Sequence, residues 1–296
     1  MFGALNPEFL TIFRKMADAS NVACFIQSYQ TQGNRLTQDD RIMLLSHHFG
    51  YINLVCDGHG AWHPADLVVE NIVSLINKEF KSAISTYGSI DEIDEIREES
   101  IFKTVVGKLH ELTMDSEGGT TFTLAFYRHI KRDENNNRRL RLTLVSLGDS
   151  PVCVFDNNQY VHMPLHSARY NLHERQRIED EGHGYIENGY LYSNELHPRS
   201  GGVAMTRALG DKTFNSVLSR IPPIKVFDIT PRAVIVLASD GAINNDQPDE
   251  VEKTMVNFIN ETKLGKSAQE IVLQLGERND NTSLLSIQFK EPQVEK

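Results

Sequence analysis

Apolar residues alternate with polar ones, or run together in short stretches, along most of the chain, which is typical of half-buried and buried strands. Other stretches place apolar residues three or four positions apart, the spacing of amphipathic helices. The first pattern predicts strands at 22–30, 42–46, 50–56, 120–129, 140–147, 151–155, 159–162, 224–229, 233–238 and 283–289. The second predicts helices at 62–80, 92–115, 171–182, 248–260 and 266–276, besides a short N-terminal helix. Candidate helix starts are the N-caps Asp91 and Ser267 and the first-turn Pro248.

The order of these elements indicates the fold class. Strands follow one another in neighbouring pairs, and the loops at 47–50 and 132–139 are typical of hairpins. Such pairing favours antiparallel sheets with helices packed outside them over a doubly wound parallel sheet. The basic stretch 128–141 is interpreted as a charged hairpin that discourages pairing at a sheet edge. No linker or repeat is visible, so we expect one domain, 1–296, with its core at about 22–289 and a C-terminal tail.

Composition narrows the class of protein. Of 296 residues, 40% are hydrophobic, enough for a sizeable core, and the net charge of −10 disfavours non-specific binding to nucleic acid or anionic membranes. Cys24, Cys56 and Cys153 each lie in an apolar run, which predicts buried thiols in a reducing compartment. Neither a signal peptide nor an apolar run of membrane-spanning length is visible. We expect a cytoplasmic monomer, with the nucleus left open, that binds neither nucleic acid nor membrane.

Four aspartates stand where an apolar, strand-like run meets a turn. Asp57, Asp149 and Asp240 each end such a run, and Asp280 precedes one. A single Asp-Gly turn carries little information, because both residues are common in turns. Four carboxylates at the tips of buried strands can converge on one point, and converging carboxylates need cations between them. The pattern therefore predicts a metal-centred active site.

The segment 57–60 and the residues upstream of it suit phosphate chemistry. A carboxylate can bridge two cations, glycines let backbone carbonyls approach a metal, and His59 can transfer protons near neutral pH. All-oxygen ligation suits Mg²⁺ or Mn²⁺, and two such ions about 3.5–4 Å apart clamp a phosphate and activate a bridging water. Upstream, Arg35 offers a planar donor fork for phosphate, and Asp39 and Asp40 can order metal-bound waters.

These residues belong to an ordered series of short motifs. The series is Arg35 with Asp39-Asp40, Asp57-Gly58-His59-Gly60, Gly119-Thr120-Thr121, Gly148-Asp149-Ser150, Thr206-Arg207-Ala208-Leu209-Gly210-Asp211, Ser239-Asp240-Gly241 and Asp280-Asn281. It resembles the motif series of the metal-dependent protein phosphatases, the type-2C Ser/Thr phosphatases, over about 22–289. The resemblance implies an α+β fold in which a central sandwich of two antiparallel β-sheets is flanked on both faces by α-helices.

The resemblance also implies the ligands of two Mg²⁺ or Mn²⁺ ions. Asp57 would bridge both ions, Gly58 would ligate one through its carbonyl, and Asp240 and Asp280 would complete the carboxylate shell. Asp39 and Asp40 would hold metal-bound waters or serve as outer ligands.

Further positions concern the substrate and a third ion. Arg35 would bind the substrate phosphate, and His59 would protonate the leaving Ser or Thr oxygen. Asp149 matches an acid that helps a third, weaker metal, but Asn244 stands where the family has an Asp, so a third metal should be weaker or absent here. The segment 207–211 would begin a flap beside the site.

The implied reaction is hydrolysis of phosphoserine and phosphothreonine monoesters on proteins by direct attack of a metal-bridging water or hydroxide. No cysteine has an arginine six residues on, so a thiolate phosphatase is not indicated. Two alternatives remain open. A non-catalytic interaction module of the same fold would be signalled by loss of a core carboxylate, yet Asp57, Asp240 and Asp280 are present. A two-metal nuclease would need a basic track, which the net charge of −10 disfavours.

Overall fold

The computed structural model describes residues 12–17, 23–61, 63–130, 139–195, 201–244 and 246–290. In chain order, the strands are β1 (Ile12–Ala17), β2 (Ala23–Thr31), β3 (Arg41–His47), β4 (Gly50–Cys56), β5 (Gly58–His59), β6 (Gly119–Thr120), β7 (Phe122–Ile130), β8 (Arg139–Leu147), β9 (Val152–Asp156), β10 (Gln159–His162), β11 (Gly184–Glu187), β12 (Tyr190–Ser193), β13 (Leu209–Gly210), β14 (Ile224–Ile229), β15 (Val234–Ala238) and β16 (Thr282–Lys290). The α-helices are α1 (His63–Tyr87), α2 (Glu95–Thr113), α3 (Leu172–Glu181), α4 (Pro248–Lys263) and α5 (Ala268–Leu273).

Most strands belong to two antiparallel sheets that pack face to face. One sheet has the order β1-β2-β16-β15-β9-β10, and the other has the order β14-β8-β7-β4-β3. Aliphatic side chains from both sheets, among them Val55, Leu142, Ile235 and Leu285, fill the space between them. Burying both inner faces removes a large apolar area from water, which stabilises the pair of sheets. The predicted sandwich is confirmed.

Helices cover both outer faces of the sandwich. On the five-stranded sheet, α1 and α2 place Phe80 and Phe102 against Phe126 of β7. On the six-stranded sheet, α4 and α5 pack Met255 and Ile271 into a cluster of buried side chains of β15 and β16. The α+β class with helices on both faces is therefore confirmed as well.

The helix starts are predicted with mixed success. Ser267 caps α5 and forms a capping box with Glu270, and α4 begins at Pro248, as expected. The prediction of Asp91 as a cap is wrong, because Asp91 lies in a 3₁₀ turn. Asp94, three residues later, accepts the hydrogen bond from the Arg97 backbone N–H and is the N-cap of α2.

The N-terminal segment differs from its prediction where it is described. A short helix was expected there, but Ile12–Ala17 form strand β1, which pairs with β2 in antiparallel register. The pairing satisfies the backbone groups of both strands and extends the six-stranded sheet. The other residues before 23 lie outside the described residues, as does the C-terminal tail after 290.

The basic stretch is not an edge-protecting hairpin. Both β7 and β8 are interior strands, because β8 pairs with β14 and β7 with β4. Arg128 is 1% exposed, and its Nε donates to Glu98 Oε2 of α2 at 2.8 Å, which ties that helix to the sheet. Most of the predicted loop at 132–139 lies outside the described residues, although β7 and β8 pair up to Ile130 and Arg139.

A smaller unit packs beside one end of the sandwich. It comprises residues 168–195 and 201–218, here called the flap, and includes α3, the β11–β12 hairpin and a small apolar core of its own. The segment 207–211, which the resemblance predicts to begin a flap beside the site, lies within this unit, where Ala208 packs into its apolar core. Its strands β11 and β12 were not predicted, because both are short and carry few buried residues.

The four strand ends singled out in the sequence lie at one end of the sandwich. In the five-stranded sheet, β4 and β8 both run antiparallel to the intervening β7, so Cys56 and Leu147 end at the same edge. In the six-stranded sheet, the end of β15 pairs with the start of β16, at Ala238 and Leu284. Asp57 and Asp149 therefore project from one sheet, and Asp240 and Asp280 from the other.

Candidate metal centre and active site

Asp57 and Asp240 meet across the gap between the two sheets. Their carboxyl groups lie within hydrogen-bonding distance of each other. Burial raises the pKa of Asp57 well above its ordinary value, and the negative charges of Asp240 and Asp40 raise it further. Burial also raises the pKa of Asp240. The pair is thus a concentration of negative charge with little compensation from the protein.

Asp40 and Asp149 add to this charge. Burial raises the pKa of Asp40 to about 7, although hydrogen bonds, chiefly from Ser283 Oγ at 2.7 Å, act in the opposite direction. Burial and then the charge of Asp240 raise the pKa of Asp149 to about 7. Oδ1 of each of these two carboxylates is buried and has no hydrogen-bond partner among the described residues.

Asp280 is held differently from the other acids. Its Oδ2 accepts from Arg35 Nη2 at 2.6 Å, and the Arg35 side chain is 58% exposed. The next residue, Asn281, accepts from the Asp39 backbone N–H at 2.7 Å and donates to the carbonyls of Gln32 and Thr37. Asn281 therefore fixes the loop that carries Arg35 and Asp39 beside the acids.

Gly58 approaches the backbone of that loop closely. A Cβ at Gly58 would lie 2.6 Å from the Asp39 carbonyl oxygen, so only glycine fits without a shift. On the other side, the Asp57 backbone N–H donates to Thr121 Oγ1 at 2.9 Å, and the Thr121 N–H donates to the Asp57 carbonyl. The turn at 57–58 is thus fixed on both sides.

His59 pairs with an acid that the sequence analysis placed only in the flap. Its Nε2 lies 2.7 Å from Asp211 Oδ2, and the Asp211 side chain is 5% exposed. Burial by itself would lower the pKa of His59, but the hydrogen bond and charge of Asp211, helped by Asp149, leave that pKa above its ordinary value. The motif containing Asp211 was visible in the sequence, whereas its contact with His59 was not.

Asn244 has a partner of its own. Its Oδ1 accepts from Arg278 Nη1, while Arg278 Nε donates to the Gly241 carbonyl at 2.7 Å and Nη2 to the Ile243 carbonyl at 3.0 Å. The guanidinium is near enough to Asp240 and Asp280 to feel their charges. The side-chain oxygen of Asn244 is therefore already engaged by a positively charged group. The local sequence pattern did not single out Arg278.

His166 supports the turn that carries Asp149. It is 2% exposed, its Nδ1 accepts from the Gly148 N–H at 3.1 Å, and its own N–H donates to the Gly148 carbonyl at 3.0 Å. Burial and the charge of Arg207 lower the pKa of His166 to about 4, so the ring is neutral at pH 7. His166 is thus part of the local packing around Gly148.

The donor set suits hard divalent cations. The available donors are carboxylate oxygens and backbone carbonyls, the ligands that Mg²⁺ and Mn²⁺ prefer. The raised pKa values of Asp40, Asp57 and Asp149, and the buried unpartnered oxygens, indicate that added positive charge would be stabilising. Cys56 is fully buried, and burial raises the pKa of its thiol, so it offers no thiolate.

The described residues nevertheless do not form a ready-made cage. Across 12–290, with the gaps given above, no group of three or more Asp, Glu, His or Cys side chains is arranged to hold one ion. The Arg35–Asp280 ion pair accounts for part of this, because a carboxylate held at 2.6 Å by a guanidinium must leave that partner before it can coordinate a cation. The ligand roles of Asp57, Gly58, Asp240, Asp280, Asp39 and Asp40 therefore stay predictions.

A cavity of about 320 Å³ opens between the acids and the flap. Asp149 and Asp240 line it on the side of the sandwich, and Arg169, Gly189 and Tyr190 line it on the side of the flap.

Among the helices of the described ranges, none combines the length and the apolar composition of a membrane span.

Curated relatives are phosphatases that extend beyond this chain. It is 28% identical over 191 residues to "Probable protein phosphatase 2C 11" of Arabidopsis thaliana, covering 64% of this chain and 45% of that protein. It is 26% identical over 240 residues to "Probable protein phosphatase 2C 59" of Oryza sativa subsp. japonica, covering 80% of this chain and 66% of that protein. The chain thus spans about half to two-thirds of the length of these two relatives.

Solved structures and a family model agree on the fold. The crystal structure of serine-threonine phosphatase 2C from Toxoplasma gondii superposes with a TM-score of 0.62 at 18% identity, covering 95% of this chain and 99% of that one. A phosphatase from a pathogenic strain of Toxoplasma gondii gives a TM-score of 0.69 at 14% identity, covering 97% and 96%. The "Protein phosphatase 2C" family model matches residues 35–279, which is most of the chain and includes every predicted site residue except Asp280. The chain belongs to the protein phosphatase 2C family.

Proposed function

We propose that this chain is a metal-dependent phosphatase that hydrolyses phosphoserine and phosphothreonine monoesters on proteins. The observation that carries the proposal is the meeting of aspartates from both sheets at one end of the sandwich. The carboxyl groups of Asp57 and Asp240 lie within hydrogen-bonding distance, burial raises the pKa of both, and the charge of Asp240 raises that of Asp57 further. Arg35 and His59 lie beside them, one ready to bind an anion and the other to transfer a proton.

Asp57, the Gly58 carbonyl, Asp240 and Asp280 would hold two Mg²⁺ or Mn²⁺ ions, with Asp39 and Asp40 in supporting positions. When bound, the ions would offset the phosphate charge and lower the pKa of a water so that it can attack phosphorus. A third ion at Asp149 is not favoured, because Arg278 already occupies the oxygen of Asn244.

The chain's own residues would bind the phosphoryl group and assist its leaving oxygen. The Arg35 guanidinium presents several N–H donors in a plane, which match the oxygens of a phosphate. His59 would donate a proton to the serine or threonine oxygen as its bond to phosphorus breaks. The cavity of about 320 Å³ next to Asp149 and Asp240 would admit the peptide on either side of the phosphorylated residue.

The test compares the parent with two aspartate variants. Asp57→Asn should lose Mn²⁺-dependent release of phosphate from a phosphoserine peptide by at least about 100-fold, because the central carboxylate is removed. Asp249→Asn, which removes an exposed carboxylate in the first turn of α4, should retain the parent rate. EDTA should stop the reaction, and added Mn²⁺ or Mg²⁺ should restore it.

Two further arms address the alternatives. A parent protein that binds Mn²⁺ but releases no phosphate from phosphopeptides would favour the non-catalytic module. Cleavage of a DNA strand under the same conditions, with phosphopeptides left intact, would favour the nuclease. Full activity in Asp57→Asn would refute the role given to Asp57 in any of these functions.

A further inference from the structure

The acid that contacts His59 comes from a distant part of the chain. Asp211 is separated from His59 by 152 residues, yet its Oδ2 lies 2.7 Å from Nε2 of the imidazole. We propose that Asp211 is a positioning residue that fixes the ring of His59 for proton transfer to the leaving oxygen. The inference deepens the proposed function and rests on it for the kinetic part of its test.

A small sheet brings the two residues together. Strand β13, just before Asp211, pairs with β6, and β6 pairs with β5, which ends at His59. The Asp211 N–H donates to the Gly118 carbonyl at 2.8 Å, and the following Lys212 N–H donates to the Ser116 carbonyl at 2.9 Å. The backbone on both sides of the Asp211 carboxylate is therefore anchored to the loop before β6.

The conformation of Asp211 is one that few residues adopt. Its φ of 53° and ψ of 59° lie in the left-handed region, where a non-glycine residue costs free energy unless its surroundings hold it there. The preceding Gly210 also has a positive φ of 79°. These two residues turn the chain so that the Asp211 side chain points back at His59.

Gly119 leaves the space that the pair occupies. A Cβ at this position would lie 2.0 Å from Asp211 Oδ2 and 2.5 Å from His59 Nε2, closer than non-bonded atoms approach. Any larger residue would thus push the carboxylate and the imidazole apart. Strand β6, which lies between β5 and β13, therefore has no side chain at the point where Asp211 and His59 touch.

The hydrogen bond assigns a task to each nitrogen of the ring. With Nε2 facing the Asp211 carboxylate, that nitrogen carries a proton, and Nδ1 is left for the substrate. Nδ1 has no hydrogen-bond partner among the described residues, and neighbouring atoms cover it, so they must move aside before it can meet the substrate oxygen. A buried carboxylate that orients an imidazole and stabilises its charged form, without itself taking the proton, is a recurrent catalytic arrangement.

The reaction step balances with these groups alone on the protein side. As a bond forms between the oxygen of the attacking water and phosphorus, that water gives up one proton to solvent, and the bond between phosphorus and the serine oxygen breaks. The proton on His59 Nδ1 passes to that serine oxygen, and the neutral ring then regains a proton from solvent. The Asp211 carboxylate accepts the hydrogen bond from Nε2–H throughout.

The kinetic test uses two substrates with different leaving groups. Serine is a poor leaving group and needs the proton, whereas p-nitrophenolate leaves p-nitrophenyl phosphate readily without one. Asp211→Asn keeps the left-handed backbone, which asparagine tolerates. With Mn²⁺ present, kcat for a phosphoserine peptide should fall on the order of 10- to 100-fold, and kcat for p-nitrophenyl phosphate should fall several times less. Equal losses on both substrates, or no loss, would overturn the inference.

A double-mutant cycle separates positioning from a merely structural role. His59→Gln should show the same preference for the good leaving group, and adding Asp211→Asn to it should cause little further loss on the phosphoserine peptide. Independent, multiplying losses would count against Asp211 acting through His59. Gly119→Ala should reproduce the leaving-group effect with both functional groups intact, and thermal unfolding of each variant checks its fold.

A third readout does not depend on activity. In protein labelled with ¹⁵N-histidine, with the His59 signal assigned from His59→Gln, the ring nitrogens of the neutral side chain should report a proton on Nε2. Asp211→Asn should shift the ring towards a mixture of tautomers, and an unchanged spectrum would overturn the inference. A parent that hydrolyses no phosphopeptide but shows this shift would refute the proposed function and leave the positioning role supported.

Discussion

One buried carboxylate, that of Glu174 in α3, is predicted to hold the flap segment with Thr206 and Arg207 to that helix. The Glu174 side chain is 6% exposed and accepts hydrogen bonds from Arg207 Nε at 3.0 Å, Arg177 Nη2 at 3.1 Å and Thr206 Oγ1 at 2.9 Å. Burial alone would raise the pKa of Glu174. The hydrogen bond and charge of Arg207, and then the charge of Arg177, outweigh burial and lower that pKa to about 2.

The lowered pKa converts into a stability that depends on pH. A pKa that falls from 4.5 to about 2 is worth about 3 kcal/mol at neutral pH, since each pKa unit corresponds to about 1.4 kcal/mol. Because the folded-state pKa is the lower one, this stability is fully present above pH 4.5 and is lost as the pH falls towards 2. About 1.5 kcal/mol of it should remain at pH 3.

Glu174→Gln is therefore expected to lower the free energy of unfolding by about 3 kcal/mol at pH 7 and by about half as much at pH 3. Urea unfolding at both pH values measures the difference. Glu181→Gln is the matched control: Glu181 also accepts from Arg177, but its side chain is 44% exposed, so its loss should cost less than about 1 kcal/mol. A Glu174→Gln effect no larger than that of the control, or one that grows as the pH falls, would refute the reasoning.

Three other outcomes are expected. Arg128→Ala should lower the free energy of unfolding by about 3–5 kcal/mol in urea titrations, because it leaves the Glu98 carboxylate buried without its ion-pair partner. Arg139→Ala, at a half-exposed ion pair, should cost far less, and equal losses in the two variants would contradict this expectation. Asn244→Asp combined with Arg278→Ala should add one Mn²⁺ ion to the stoichiometry measured by calorimetry, since a carboxylate is gained and the competing guanidinium is lost. An unchanged stoichiometry would count against competition between Arg278 and a third ion. Arg35→Ala should raise KM for a phosphopeptide by about 10-fold or more with a smaller change in kcat, whereas Arg35→Lys should recover part of the loss; a parent-like KM in Arg35→Ala would argue against phosphate binding.

The sequence predicts the sandwich well because its strands are buried on at least one face. Strand β15 is a continuous apolar run, and β4, β8 and β16 have apolar residues at alternate or neighbouring positions. The aspartates that follow or precede these strands mark where the core ends. The short strands of the flap lack that signal, since β12 is half exposed. Local apolar pattern therefore locates the two sheets and misses the flap.

Only part of the candidate site could be predicted from the sequence, for a different reason. The acids at strand ends stand out locally, but their partners are set by contacts between distant segments. Asp211 reaches His59 through a three-strand connection, and Arg278 reaches Asn244 across 34 residues. The ion pair of Asp280 with Arg35, 245 residues apart, was likewise not expected. The N-cap of α2 is Asp94 rather than Asp91 because a 3₁₀ turn over Ile90–Glu92 precedes the helix. The composition of this segment does not determine where that turn ends.

The central claim is that acids from the two sheets share divalent cations at one end of the sandwich. Crystals grown in Mn²⁺ and measured for anomalous scattering test it most directly. The account predicts two manganese peaks within coordination distance of the Asp57 carboxylate, with Asp240 and Asp280 as further ligands and Arg35 released from Asp280. Full occupancy of Mn²⁺ elsewhere on the protein, with Asp57 still hydrogen-bonded to Asp240 and Asp280 still paired with Arg35, would contradict it.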